Sequence, residues 1–306
     1  MKGLILACGS GSRLAPFTDN SSKALVPYMN HNALYYQCRT FKKWNISEIT
    51  IFYDKGDEAD FFESVKDLDV KLEAFHLKRG WDNTWKKAAE LFKNDTVVIV
   101  NCDIILPFEY GEVIKKHFDT NSALSLACNG SDFIQYGQLA QLLYIRENEN
   151  GVYYHSSNYT LNANVVREVG MSVVSGCVWN LVGDMSFESV DPWRDSLIPL
   201  AIERRLRVQC VRVNVTCQDI GTWKGLQTAY LYPIVESSGL INKVGSNLIE
   251  EGALVENEKG LENVIVMKNS IIKKDVVIKD AFVLPESVIE YSNDKKIIYI
   301  GEVKND

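Results

Sequence analysis

No C-x-x-C pair occurs among the seven cysteines, which run from Cys8 to Cys217. That absence speaks against zinc-ribbon and dithiol chemistry and leaves reduced, mostly buried thiols as the expectation. Histidine is scarce: His31, His76, His117 and His155 share no spacing that holds a metal or builds a catalytic triad. No apolar run approaches the roughly 20 residues that cross a bilayer, and the first residues lack the basic, apolar, small order of a signal peptide. A cytoplasmic location is the expectation. A basic excess is missing too. Lys and Arg number 33 against 40 Asp and Glu, a formal net charge of −7, which speaks against nucleic-acid and anionic-membrane partners. Small molecules or another protein remain.

What is present is core-forming residues in a pattern that changes along the chain. The 306 residues are 46% hydrophobic, enough for one catalytic-size domain with a modest appendage. "GLILAC", "ISEITIFYD", "VKLEAFHL" and "TVVIVNCD" read as strands, separated by helical "NALYYQCRTFKKWN", "EADFFESVKDL" and "NTWKKAAELFKN". This alternation predicts an α/β fold, a doubly wound, mostly parallel sheet covered on both faces. Past Asn129 the alternation weakens toward a mixed sheet, and the helical "WRDSLIPLAIERR" follows. The first domain is expected to span residues 1–235 and a second 241–306. In the second, aliphatic residues recur every six positions as Ile265, Ile271, Val277, Val283 and Ile289, and again as Val266, Ile272, Ile278 and Leu284; Ile249 and Val255 keep the same step. A six-residue period fits a short hexapeptide-repeat, left-handed parallel β-helix, with a pair of plain hairpins as the alternative. The uncovered end of so short a β-helix is expected to contact another copy, as a homo-oligomer.

The chemistry concentrates in "LILACGSGSRLAPFTDNSSKALVP", Leu4 to Pro27. An apolar strand running into a Gly/Ser-rich turn presents backbone N–H groups of Leu6, Ala7, Cys8, Gly9, Ser10, Gly11 and Ser12 at the carboxyl edge of the sheet, where α/β folds bind ligands. Gly9 and Gly11 can take positive φ and admit a phosphate closely. The loop is neither a Walker motif nor a dinucleotide fingerprint, because no G-K-[ST] follows and Leu14 stands at the third glycine position.

The full spacing, L-A-C-G-S-G-S-R-L-A-P-F-T and then S-K-A-L-V-P, resembles the signature of the sugar-1-phosphate nucleotidylyltransferases, L-A-G-G-x-G-x-R-L-x-P-x-T followed by P-K-x-L-x-P. Cys8 replaces a loop glycine and Ser22 replaces the proline before Lys23. Further landmarks of that family have counterparts in order: Asp103 ending "TVVIVNCD", Tyr136 and Gly137 in "IQYGQL", Gly176 in "VVSGCVWNL", and Asp219 in "QDIGTW". The hexapeptide tail also occurs in branches of the family.

The resemblance implies that a phosphate monoester oxygen attacks the α-phosphorus of a nucleoside triphosphate and pyrophosphate leaves. Asp103 and Asp219 would hold Mg²⁺, Arg13 would fork onto the leaving phosphates, and Lys23 would face the α-phosphate. Tyr136, Gly137 and Gly176 would face the sugar, and Trp223 would form a pocket wall. Bland roles stay open for each carboxylate: Asp103 as a helix N-cap and Asp219 as a turn residue. Near the base, where the family opens a helix with a Gly-Thr-Ala-type run, this chain has "KRGWDNTWKKAAEL", and Asn83 and Thr84 would cap the helix or bond the base. The family's E-K-P motif is absent, leaving Arg146, Arg167 or Arg194 to meet the acceptor's charge. Two alternatives follow: a cytidylyltransferase for a small phosphorylated alcohol such as choline phosphate, and a non-catalytic subunit that binds a nucleotide sugar and regulates a partner.

Overall fold

The computed structural model describes residues 1–129, 142–145, 164–188, 191–235 and 241–299. In chain order its main elements are β1 (Lys2–Ala7), α1 (Ala33–Lys43), β2 (Glu48–Tyr53), α2 (Glu58–Val65), β3 (Lys71–His76), α3 (Trp81–Phe92), β4 (Val97–Asn101), α4 (Gly111–Asp119), β5 (Leu124–Asn129), β6 (Leu142–Ile145), β7 (Asn164–Val174), α5 (Gly176–Trp179), α6 (Ile198–Glu203), β8 (Val208–Arg212) and α7 (Trp223–Leu231).

The strands form an eight-stranded sheet in the order β8-β5-β7-β4-β1-β2-β3, with β6 paired to β7. β1, β2, β3 and β4 are parallel, as are β5 and β8, and β7 runs antiparallel to both of its neighbours β4 and β5. The period-two alternation of the strands explains the two-faced sheet. Ile5, Ile51, Val98 and Val100 join Leu34, Cys38 and Phe41 of α1, Phe61 of α2 and Val113 of α4 in one core. Their sequence neighbours Leu4, Phe52, Val97 and Ile99 join Trp85 and Phe92 of α3, Trp179 of α5 and Ile198 of α6 in the other. Helix starts are set locally, since the side chains of Asn32 and Asp57 accept from the Tyr35 and Ala59 amides and so cap α1 and α2.

The tail contributes β9 (Ile241–Val244), β10 (Asn247–Glu250), β11 (Leu261–Val266), β12 (Ile278–Val283) and β13 (Ile297–Tyr299) as a five-stranded sheet, beside a three-stranded one of Leu254–Val255, Ile271–Ile272 and Val288–Ile289. The parallel strands stack Leu248 on Ile265 on Phe282, and Leu254 on Ile271 on Val288. The stacking offset is 17 residues, and side-chain bonds such as Asn263 to Asp280 repeat it. The six-residue step therefore does not carry through the stack. In the first register Val277 is 65% exposed while Val283 and Ile289 are buried; in the second, Val266, Ile272 and Ile278 are all buried, and Gly252, Asn269 and Glu286 take positive φ at the same 17-residue spacing.

The tail shares a core with the first domain. Leu248, Ile265, Met267 and Phe282 pack among Leu14, Tyr28, Met29, Tyr36, Leu226 and Tyr230. At that junction Glu250 is buried, and its carboxylate accepts from the Asn30 amide (2.9 Å), the Tyr230 hydroxyl (2.6 Å) and the Lys268 amide (2.8 Å). Burial holds this carboxyl above its usual range even though all three donors favour its charged form.

A second polar bolt fastens α4 to the sheet. The buried His117 ring lies 2.9 Å from Ser125 Oγ through Nδ1 and 2.9 Å from Ser175 Oγ through Nε2. Burial pushes it down to about 4. A folded value below the unfolded one, about 6.5, means the unfolded chain takes up a proton that the folded one refuses. His117 thus leaves stability untouched above pH 6.5 and erodes it by up to about 3 kcal/mol as the pH falls toward 4. Urea unfolding from pH 7 to 4.5 should show this loss, and His117→Gln should flatten the slope across that window; equal slopes would show that the ring is not held neutral.

Candidate active site

Because β1, β2 and β4 are parallel and in register, with Ala7 opposite Tyr53 and Leu6 opposite Asn101, their carboxyl ends share one edge. The Gly/Ser loop leaves β1 there. Gly11 has φ +67°, and a Cβ on it would lie 2.8 Å from Thr18 Cβ, so only glycine fits while the Thr18 hydroxyl donates to its carbonyl at 2.6 Å. Gly9 does not take positive φ; its Cα faces open space, which suits approach by a ligand. Leu6 is half-buried and Ala7 buried, at the end of β1 from which the loop departs. Ser10 and Ser12 are exposed with their hydroxyls 3.4 Å apart, and Arg13 is exposed on the turn Ser12–Leu14. Sequence reasoning missed Lys55, whose ammonium donates to the carbonyls of Thr18 (2.8 Å) and Ser10 (3.4 Å) and so ties the loop to the end of β2. Its only signal was a lysine just past a strand that ends at the same edge.

Lys23 follows on a short turn that Ser22 caps by accepting from the Ala24 amide, which gives Ser22 a role where the resemblance expects proline. The Lys23 ammonium bonds Asp103 Oδ2 directly, the two side chains being 12% and 15% exposed. Burial alone would lower the lysine, but the Asp103 carboxylate outweighs it and holds the ammonium above its usual value. Asp103 stands just past β4. Asp219 comes beside it because Gln218–Asp219 pairs antiparallel with Ile104–Ile105, and the Ile220 amide donates to the Asp103 carbonyl at 2.8 Å. The Gly221 amide donates to Asp219 Oδ1 at 2.8 Å. A Cβ on Gly221 would stand 2.5 Å from Asp103 Oδ2 and 3.0 Å from Asp219 Oδ1, so the two carboxylates meet across this glycine. Burial first, and the Asp103 charge second, raise Asp219 above the ordinary carboxylate range.

Among the described residues no group of three or more His, Cys, Asp or Glu side chains forms a metal cage. Two carboxylates facing each other instead suit Mg²⁺, which is bound through one or two carboxylates plus substrate phosphates. The oxygen-only donor set, and the mutual repulsion registered at Asp219, fit that ion.

Other expected residues fall differently. Thr84 is buried, donates to the Gly80 carbonyl at 3.1 Å and touches the Cys8 thiol, so it supports the loop from beneath instead of meeting a base. Asn83 Nδ2 reaches back to the Lys78 carbonyl at 3.0 Å, and neither side chain caps α3, whose N-cap is Gly80. Burial, then the Asp54 charge, pushes the Cys8 thiol up to about 12, which makes it a packing group and not a nucleophile. Gly176 opens no strand. It starts α5 after β7, at the edge where Val174 pairs with Val97, opposite the loop, and a Cβ there would lie 2.9 Å from the Asn94 backbone. The glycine of β7 that reaches the site edge is Gly170, with φ +71° and the Asn101 amide against it. Tyr136, Gly137, Arg146 and the side chain of Arg167 lie outside the described residues. Arg194 pairs with Glu168 (3.2 Å) and Asp191 (3.3 Å). Trp223 Nε1 donates to the Ala15 carbonyl at 2.9 Å and its ring packs on Phe282, so it links loop to tail.

Residues 2–137 match the Nucleotidyl transferase family. Over 124 residues the chain is 28% identical to the mannose-1-phosphate guanylyltransferase catalytic subunit beta of Xenopus tropicalis, covering 38% of this chain and 34% of that protein. Over 110 residues it is 30% identical to a glucose-1-phosphate thymidylyltransferase of Mycolicibacterium smegmatis, covering 34% and 38%. A bifunctional sugar-1-phosphate nucleotidylyltransferase/acetyltransferase of Sulfurisphaera tokodaii matches at 32% identity over 26% of this chain and 20% of that protein. The matched stretches thus span about a fifth to two fifths of these relatives. A solved structure from Bacillus anthracis, assigned as a glucose-1-phosphate thymidylyltransferase, superimposes with a TM-score of 0.62 at 17% identity, covering 77% of this chain and 96% of that one. Residues 2–137 are therefore similar to the Nucleotidyl transferase family and to sugar-1-phosphate nucleotidylyltransferases, and the chain shares the α/β fold of the solved structure.

Asp103→Asn should remove the charge that raises Asp219. ¹³C carboxyl titration should then show Asp219 titrating lower than in the unaltered protein; an unmoved titration would show that burial alone sets it and that the two carboxylates do not interact.

Proposed function

We propose that the protein is a Mg²⁺-dependent nucleotidyltransferase that joins a nucleoside monophosphate to a sugar 1-phosphate. The observation that carries this reading is the Lys23, Asp103 and Asp219 set gathered beside the Gly11 loop at the carboxyl edge of the sheet. A sugar 1-phosphate oxygen forms a bond to the α-phosphorus, the bond from that phosphorus to the α,β-bridging oxygen breaks, and pyrophosphate departs. Mg²⁺ held by Asp103 and Asp219 would neutralise triphosphate oxygens. Lys23 shifts its charge from Asp103 toward the α-phosphate, while the exposed Arg13 forks onto the leaving phosphates. The loop amides position the triphosphate, and no covalent nucleophile is needed because phosphoryl-type transfer is driven by positioning and electrostatics.

An aromatic stack at the start of α3, where the chain has left the carboxyl end of β3 and Trp81 is the first member, supports a nucleotide-binding reading. Trp81 is 44% exposed and stacks on Trp85 (6.2 Å, 8° between planes), which stacks on Trp193 (4.7 Å, 21°). Indole rings stacked in series suit a planar base. The 17-residue stacking supports reading residues 241–299 as a short β-helix that caps the Leu14, Tyr28 and Met29 side of the domain.

The test is Mg²⁺-dependent pyrophosphate release with each common nucleoside triphosphate crossed with a panel of sugar 1-phosphates and choline phosphate. Release with one sugar 1-phosphate, reduced at least about 100-fold in Asp103→Asn, is expected. Release only with choline phosphate and CTP would move the acceptor to an alcohol phosphate, and silence together with nucleotide-sugar binding would identify a regulatory subunit.

A further inference from the structure

We propose that Gln37 is the positioning residue that fixes where Asp103 stands, and with it the cation geometry; this rests on the nucleotidyl transfer proposed for the site. Gln37 lies on the inner face of α1, 4% exposed. Its Nε2 donates to the carbonyls of Asn101 (2.8 Å) and Ile104 (3.1 Å). Those two residues flank Cys102 and Asp103, the point at which the chain leaves β4 and turns its carboxylate into the site. A planar amide has two N–H groups at a fixed angle, so one nitrogen bridging two carbonyls sets their separation as no single hydroxyl does. The braced ribbon is also the one that receives Asp219, which pairs opposite Ile104, so a shift at Gln37 displaces both carboxylates together.

The other end of the side chain shows what this brace costs. Gln37 Oε1 is buried and has no partner among the described residues. An acceptor left unsatisfied in a core is unfavourable, and a methionine of similar length would fill the same space without one. Packing alone therefore does not account for an amide here, whereas its two donors do. One turn further along α1 the Thr40 hydroxyl donates to the Leu106 carbonyl at 3.3 Å, outside the Asn101 to Ile104 segment that Gln37 bridges, which makes Thr40 a control for general loosening of the helix. The same helix holds the lysine side of the site: the Tyr36 hydroxyl donates to the Met29 carbonyl at 2.8 Å, in the turn that follows Lys23. α1 thus registers both members of the Lys23 and Asp103 pair.

The test compares the full-length protein with Gln37→Met, Gln37→Asn and Thr40→Val. Electron paramagnetic resonance reads the affinity for Mn²⁺ in the presence of a non-hydrolysable nucleoside triphosphate; thermal unfolding and kcat at graded Mg²⁺ are measured alongside. Gln37→Met should weaken Mn²⁺ binding and lower kcat by about 10-fold or more, the range seen when the groups that orient metal ligands are removed. Its unfolding temperature should stay within a few degrees of the parent, and Thr40→Val should leave Mn²⁺ affinity unchanged. Should Gln37→Met not fold, Gln37→Asn decides the matter, because it keeps both donors but withdraws them by one methylene and should weaken Mn²⁺ binding without unfolding. Parental Mn²⁺ affinity in a folded Gln37 variant overturns the positioning role while leaving the transferase standing. A parent protein that binds neither Mn²⁺ nor triphosphate overturns both.

Discussion

The contact between the Lys23 ammonium and the Asp103 carboxylate is the constraint around which the site is arranged. It joins residues 80 positions apart, both mostly shielded from water. Removing either partner of a buried pair leaves an uncompensated charge, which typically costs about 3–5 kcal/mol. The structure invests accordingly in holding each side. Ser22 caps the turn that presents Lys23, α1 braces the segment that presents Asp103, and the ribbon of Gln218 and Asp219 closes the remaining side. In this cluster the Asp103 charge raises the Asp219 carboxyl after burial, while Arg13 and Lys23 act to lower it. Two carboxylates that meet across Gly221 can share a cation, and the proposed reaction supplies one with its triphosphate.

The tail belongs to the same chain of constraints. Glu250 fastens it to Asn30 and Tyr230, and the ring of Tyr28 packs edge-on against Tyr36 and Tyr230. The Tyr28 hydroxyl then donates to Gln218 at 2.9 Å, immediately before Asp219. From the opposite side Trp223 spans Phe282 of the tail and Ala15 of the loop. Packing of residues 241–299 against the first domain is thereby continuous with the two segments that carry Lys23 and Asp219. This is a reason for the tail to be built on the site side of the sheet, independent of any role as an assembly surface.

Much of this was legible in the sequence because the informative features are local. Strand and helix periods pointed to the two-faced sheet. The spacing of Gly11, Arg13 and Lys23, with Asp103 at a strand end, marked the loop and its neighbours, while the direct pairing of Lys23 with Asp103 was not among the expectations. What escaped depends on tertiary register. Lys55 and Gln37 act on backbone carbonyls, and a carbonyl leaves no mark in a sequence. Gly176 and Gly170 differ only in which end of β7 they occupy, and that strand runs antiparallel inside an otherwise parallel neighbourhood, so chain order alone points to the wrong edge. Thr84 looked available but turned inward under Cys8. In the tail, aliphatic spacing showed repetition, but the pairing offset was set by turn residues such as Asn269 and Glu286 in the left-handed region, which apolar periodicity does not reveal.

The central claim is that Asp103 and Asp219 jointly receive the cation that accompanies a triphosphate while Lys23 turns to its α-phosphate. A crystal structure with a non-hydrolysable nucleoside triphosphate and Mn²⁺, with anomalous data at the manganese edge, tests it most directly. The account predicts one strong anomalous peak touching both carboxylates and the triphosphate, with the Lys23 ammonium moved off Asp103 onto phosphate oxygen. A triphosphate bound away from the Gly11 loop, or manganese bound with Lys23 still paired to Asp103 and neither carboxylate engaged, would contradict it.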